Sequence, residues 1–173
     1  MNHDHSAASS FVGSWLGKLQ PGKALDVAMG RGRHALVLAR HGFQTFGVDI
    51  RHEAVRDAMN AAAREGLLIR GWCADLTDSP LPVGFFDLLV VTRYLQRDLF
   101  DTIKAAVKPG GYVIYETFTS AQLAHGTGPK SPDHLLRPGE LRSLFADWNV
   151  LFYEEVDVEE AVARLVAQRS LSA

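Results

Sequence analysis

The sequence is poor in cysteine. Cys73 stands alone, which excludes an intrachain disulfide and a zinc cluster built on cysteines, and makes a reducing, cytoplasmic setting the expectation. It is also poor in long apolar runs. Stretches such as 88–91 are far too short to cross a bilayer, so no membrane partner is expected. Neither charge is in excess: 18 Lys and Arg stand against 20 Asp and Glu, for a net charge of −2, which leaves little of the electrostatic footprint of a nucleic-acid binder. The first residues carry neither the basic n-region nor the apolar h-region of a signal peptide. Residues 1–9, with His3, Asp4 and His5 followed by small side chains, are expected to form a mobile leader. No repeat or low-complexity block interrupts the remainder. A chain of 173 residues, 47% of them apolar, can bury roughly 70% of its unfolded surface, so one domain over 10–173 is expected.

From Ser10 onward two periods alternate. Phe11, Trp15 and Leu19 recur at helical spacing before Pro21 and Gly22. A buried strand is predicted over 24–28. A helix follows over 33–41, with Gly42 as its C′ residue, and then a second strand over 43–48 ending at Asp49. Val55, Met59, Ala62 and Ala63 share one face of a helix over 52–65, ahead of Gly66. Strands are predicted at 67–73 and 86–91, and Asp98 is placed to cap a helix carrying Leu99, Phe100, Ile103 and Val107. Lys108, Pro109, Gly110 and Gly111 turn into a fifth strand over 112–117. Strand and helix alternate five times, and the strands are apolar on both faces. That combination means a parallel sheet covered on both sides, an open, doubly wound α/β fold. Ligands in such sheets lie beyond the carboxyl ends of the strands.

The residues at those ends are acidic or small. After the first strand runs Asp26-Val27-Ala28-Met29-Gly30-Arg31-Gly32. Its glycines allow a sharp turn and the close approach of a ligand to backbone. A dinucleotide fingerprint needs a third glycine, and position 35 is alanine. A carboxylate at Asp26 repels a pyrophosphate and attracts an ammonium group, so the chemistry points to S-adenosylmethionine rather than NAD. A glycine turn beside a solvated Asp is the plainer alternative. Asp49 lies 17 residues beyond Gly32, near the roughly 20-residue interval at which an acid meets a ribose diol, and it is also placed to cap the next helix. After the third strand, Asp75 can accept from an adenine amino group, with Ile50 and Leu76 around the ring; an Asx-turn is the equal alternative. Thr92, Arg93 and Tyr94 follow the fourth strand.

The stretch 24–117 resembles the class I S-adenosylmethionine-dependent methyltransferases in its succession of motifs: LDVAMGRG, GVDI, CADLTDSPLP, FDLLVVTRYL and VKPGGYVIYETF. Within them it looks most like the small bacterial tellurite-resistance-type methyltransferases, on GRGRHALVLARHGF, YETF and GPKSPDHLLRPGELRSLF. The resemblance implies that Asp26, Ala28, Gly30 and Gly32 hold the methionine part of the cofactor and that Asp49 takes the ribose. It puts Ile50, Ala74, Asp75 and Leu76 around the adenine, and Thr92 by the sulfonium. Met29 departs from the Cys or Gly of related sequences, harmlessly if its side chain points inward. The resemblance also contradicts periodicity at one place. Val158, Val162, Leu165 and Val166 fit an amphipathic helix, whereas the family has its final antiparallel strand there. Followed through, it implies seven strands in the order 3-2-1-4-5-7-6 with the last antiparallel.

Methyl transfer from a sulfonium is an in-line displacement that needs a nucleophile at about 3–3.5 Å. Thiolates and small anions need no base, whereas a hydroxyl or amine does. Substrate-binding candidates are Arg93, Tyr94, His125, Lys130, His134 and Arg137, whose cations and imidazoles suit a small, possibly anionic acceptor. His134 and Arg137 could equally pin the loop, Lys130 and Arg93 could be solvated charges, and Tyr94 could be a half-buried ring capping the sheet. Glu116 is a further base candidate, and no residue is assigned as catalytic. The Asn/Asp-Pro-Pro-aromatic signature of nucleic-acid amino-methyltransferases is absent at 92–95, and Arg31, Arg33, Arg40 and His41 scatter around a helix axis, so no nucleic-acid partner is expected. A non-catalytic cofactor-binding protein, or an NAD(P)-dependent oxidoreductase, stays open. No metal ligand set is expected.

Overall fold

The computed structural model describes residues 7–171. The leader expected over 1–9 therefore lies outside the described residues as far as residue 6. The contacts divide the chain into two compact units, which meet in sequence between Ser79 and Pro80.

The first unit runs α1 (Ser10–Leu16), β1 (Lys23–Val27), α2 (Arg33–Arg40), β2 (Gln44–Asp49), α3 (His52–Arg64) and β3 (Ile69–Cys73). Its strands are parallel, with Asp26 opposite Gly47 and Asp49 opposite Cys73. Parallel strands need crossovers, and α2 and α3 supply them. Helix α2 stops where expected: Gly42 takes φ 84° and its N–H reaches the Ala39 carbonyl at 3.0 Å, a left-handed C-terminal cap. Met29 answers the question its side chain posed. It is buried among Ala35, Val55, Ala58, Ala62 and Ile69. A Cβ at Gly47 would fall 2.0 Å from the Met29 sulfur, so the thioether occupies the space that glycine leaves on β2.

The second unit runs β4 (Phe86–Thr92), a 3-10 turn (Arg97–Leu99), α4 (Phe100–Ala106), β5 (Val107–Phe118), further 3-10 turns (Ser120–His125 and Pro132–His134), α5 (Glu140–Leu144), β6 (Asn149–Asp157) and β7 (Ala161–Gln168). Strands β4 and β5 are parallel; β7 is antiparallel to both β5 and β6. The seven strands form one sheet in the order β3-β2-β1-β4-β5-β7-β6, as the resemblance implied. The segment 161–168 is a strand although its spacing suits a helix. Six of its eight residues are buried, because a strand between β5 and β6 is covered on both faces and its sequence loses the alternation that marks a strand. The one charge in it, Arg164, stands between Glu116 on β5 and Glu154 on β6 and bonds both, Nε to Glu116 at 2.5 Å and Nη1 to Glu154 at 3.0 Å. An aromatic core backs the sheet: Phe100 stacks on Tyr115 at 5.5 Å, and Phe145 meets both rings edge-on.

Local expectations differ from the structure at several ends. Helix α1 ends at Leu16 rather than Leu19, and β3 begins at Ile69 rather than Leu67. Asp98 does not cap α4. It lies inside the 3-10 turn, Leu99 occupies the cap position, and no side chain bonds there. Asp49 does not cap α3, whose N-cap is Arg51. The turn expected at 108–111 is drawn into β5, which starts at Val107.

Candidate functional site

In the first unit the segment after β1 is forced into left-handed backbone. Ala28, Gly30 and Gly32 take φ values of 53°, 55° and 80°. Such a conformation in alanine is strained, and strain of this kind gathers at binding sites. The two glycines differ in what they accomplish. A Cβ on Gly30 would meet only Arg51 Nη2, at 3.9 Å, so that side of the turn is open. A Cβ on Gly32 would sit 2.6 Å from the Ala58 Cβ, so this glycine lets α2 begin hard against α3.

Asp26 and Asp49 frame the turn. Asp26 is 1% exposed. Its Oδ2 accepts the Ala35 N–H of α2 at 3.0 Å, while its Oδ1 is buried without a hydrogen-bond partner. Buried polar atoms without partners are rare, and each needs an explanation. Burial pushes the Asp26 carboxyl up to about 7, against the pull of the Ala35 N–H and the Arg33 charge and with the help of the neighbouring Asp49 charge. Asp49 accepts the Gly30 N–H at 2.8 Å on one oxygen and the Arg51 N–H at 2.9 Å on the other, and its carbonyl accepts the Ala74 N–H at 3.1 Å. Ile50 follows it, 62% exposed, with its carbonyl receiving the Cys73 thiol at 3.1 Å. Leu76 is buried and Ala74 half-buried. Asp75 forms the Asx-turn. Its Oδ1 takes the Thr77 N–H at 3.0 Å and the Thr77 hydroxyl at 2.7 Å, which hold the exposed carboxyl below its usual range. Hydrogen bonds thus join Gly30, Asp49 and Ala74, and the Asp49 charge acts on Asp26; Asp75 is engaged in its own loop.

In the second unit Thr92 is buried opposite Glu116, and the next residue, Arg93, is the other non-glycine in left-handed backbone, at φ 52°. Arg93 Nη2 bonds Glu160 at 2.7 Å, and its guanidinium lies over the Phe118 ring. The Tyr94 carbonyl accepts the buried Tyr115 hydroxyl at 2.8 Å. His125 Nε2 lies 2.6 Å from Asp157 Oδ1. Arg137 is exposed and bonds Glu140 through its own N–H at 2.7 Å. Lys130 and His134 are exposed. His134 helps line a cavity of about 440 Å³ together with Leu95, Gln96, Arg97, Asp98 and Asp133. Glu116, the base candidate, is held by Arg164.

Arg97 carried no expectation, yet it organises this region. Its five N–H donors are all used: two on Glu140, at 2.7 and 3.0 Å, and the rest on the carbonyls of Pro132, Asp133 and Leu135. The bidentate pairing holds the Glu140 carboxyl down at about 2. Arg51, Glu160 and Asp157 were likewise unforeseen. Their partners are distant in sequence or lie in irregular segments, where spacing carries no signal. Among the described residues no group of three or more His, Cys, Asp and Glu side chains could hold a metal ion, and no helix is long and apolar enough to cross a membrane.

Comparison with known proteins finds a match to the family model described as a methyltransferase domain over residues 24–111. The chain is 30% identical to Hemagglutinin 1 of Eikenella corrodens over 167 residues, 90% of this chain and 52% of that protein. It is 37% identical to ribosomal RNA small subunit methyltransferase C of Alcanivorax borkumensis over 106 residues, 56% of this chain and 31% of that protein. The chain thus spans about half of the first relative's length and under a third of the second's. Among solved structures, TehB from Haemophilus influenzae superposes with a TM-score of 0.82 at 20% identity, covering 97% of this chain and 64% of that one.

Proposed function

The chain belongs to the methyltransferase-domain family, in its class I, S-adenosylmethionine-dependent form, and on that premise we propose that it moves the donor's methyl group to a small acceptor, a thiol or a small anion, by in-line displacement. Residues 10–173 act as one domain, working in the cytoplasm. The observation that carries the donor is the orphaned Oδ1 of Asp26 beside an open, left-handed glycine turn. A buried carboxylate oxygen with no partner in the protein calls for a donor from outside it, and a cationic one suits it best.

The residues fit the cofactor part by part. Asp26 would hold its ammonium, with Ala28, Gly30 and Gly32 supplying backbone free to approach. Asp49 takes three bonds, one from Gly30 and two from Arg51, and a carboxylate takes about four; it would receive a ribose hydroxyl. Ile50, apolar and exposed, would lie against the adenine, beside Ala74, Leu76 and the outer carboxylate of Asp75. When bound, S-adenosylmethionine supplies a methyl group made electrophilic by a positively charged sulfur.

What the chain's own residues do is position and select. Arg93, His125 and Arg137 each face a carboxylate: Glu160, Asp157 and Glu140. An incoming anion would have to displace one of these, so between the two acceptor classes the charge balance favours a thiol. A thiol carries a few per cent of thiolate at pH 7 and needs no dedicated base. That suits a unit whose base candidate, Glu116, is held by Arg164. The test is release of S-adenosylhomocysteine on incubation with dithiothreitol, selenite, catechol and ribosomal RNA in turn. Turnover with dithiothreitol or selenite and none with RNA supports the reading. Turnover with RNA alone replaces it, and turnover with none of the four favours a protein that binds the donor without using it.

A further inference from the structure

We propose that cofactor capture below neutral pH is coupled to loss of a proton: there Asp26 stands mostly as a neutral carboxylic acid in the unliganded protein and ionises as the ammonium group arrives, so loading weakens as the pH falls. The proposal rests on the reading above that Asp26 faces the cofactor's amino-acid end.

Its basis is the count of donors around one carboxyl group. An ionised carboxylate presents two oxygens with about four acceptor sites. Asp26, 1% exposed, receives one N–H from Ala35, and its other oxygen receives none. Buried charge of this kind neutralises itself unless it is paired. No hydrogen bond reaches its Oδ1. On β2 the facing charge is Asp49, which repels a second carboxylate. On α2 it is Arg33, whose charge attracts Asp26 but leaves its Oδ1 without a hydrogen bond, and His34, whose Nε2 accepts the Ser9 N–H at 2.9 Å. Arg51, after β2, bonds Asp49 through its backbone N–H and Nε. β4, the other neighbour of β1 in the strand order, has one titratable residue, Asp87 near its start, bonded to Lys108. A proton on the orphaned oxygen removes the charge that the site leaves unpaired.

An arriving ammonium changes the balance. It donates to the orphaned oxygen, the acid's O–H bond breaks, and the proton leaves to solvent; no other bond is made or lost. The position of the carboxyl near 7 sets where the coupling is felt. Protein with an acid at about 7 should release about 0.9 proton per cofactor bound at pH 6 and about 0.1 at pH 8, with affinity about tenfold tighter at pH 8.

Isothermal titration of the full chain with S-adenosylmethionine at pH 6, 7 and 8, in two buffers of different ionisation heat, counts those protons. The same series on Asp26→Asn subtracts the ligand's own amino titration. In the unliganded wild type, 13C NMR of the aspartate carboxyl carbons reads the Asp26 protonation directly, whatever the variant does. Proton release near 0.9 at pH 6, absent in Asp26→Asn, and a carboxyl titrating near neutrality support the proposal. Binding with no proton release beyond that of the variant, or a carboxyl already ionised at pH 6, overturns it and leaves the cofactor reading standing. No binding at any pH removes both.

Discussion

Replacing Gly32 by alanine tests the local geometry of the site most sharply. Two costs are legible. At φ 80° a side chain strains the backbone by about 1–2 kcal/mol. The added Cβ also falls 2.6 Å from the Ala58 Cβ and 3.3 Å from its Cα, where neither atom is a flexible side-chain end. Overpacking of this kind costs about 1–3 kcal/mol. The variant should therefore lose about 2–5 kcal/mol, a fall in Tm of about 4–20 °C for a chain of this size. Urea unfolding followed by circular dichroism measures it. Gly30→Ala is the control. Its Cβ meets only a guanidinium end at 3.9 Å, so the strain of about 1–2 kcal/mol stands alone. Ala58→Gly in the Gly32→Ala background should recover the overpacking part, giving a coupling of about 1–3 kcal/mol. A Gly32→Ala protein as stable as the parent, or a double variant that is simply additive, would refute the claim that this glycine exists to bring α2 against α3.

Asp26→Asn should be more stable than the parent at pH 8. A carboxyl raised to about 7 favours folding fully below its ordinary 3.8 and loses that contribution as pH rises through 7. The difference reaches about 4 kcal/mol, and urea midpoints of both proteins from pH 4 to 8 show it as divergence. Glu140, lowered to about 2 by Arg97, behaves oppositely: its contribution is present above 4.5 and lost as pH falls through 2. Arg97→Met should cost about 3 kcal/mol at pH 7, and its unfolding curve should approach that of the parent as the pH falls from 4.5 to 2. Tyr115→Phe leaves the Tyr94 carbonyl without its 2.8 Å bond and should lose about 1–2 kcal/mol by thermal unfolding.

The fold was legible because its signals are repetitive. Alternating strand and helix patterns, Gly42 closing α2 and the acidic residues at strand ends are each local features. Strand β7 was not legible from period alone. It is covered on both faces, and only the resemblance to a family separated it from a helix. The residues proposed for the cofactor were legible as types, since a carboxylate after a strand is a local fact. Their states were not. Whether Asp26 has a partner and whether Asp75 is engaged by Thr77 depend on donors that the fold supplies. The acceptor candidates were the least legible. Arg93, His125 and Arg137 read as available cations in sequence, and their carboxylate partners lie 67, 32 and 3 residues away.

One titration probes the Asp26 carboxylate most directly: calorimetric binding of S-adenosylmethionine and of NADH to the parent protein and to Asp26→Asn at pH 8. The parent should bind S-adenosylmethionine and not NADH, and the variant should bind it about one to two decades more weakly, the worth of a charge-assisted hydrogen bond of roughly 1.5–3 kcal/mol. Binding of NADH in place of S-adenosylmethionine, or a dissociation constant that the substitution leaves unchanged, would contradict it.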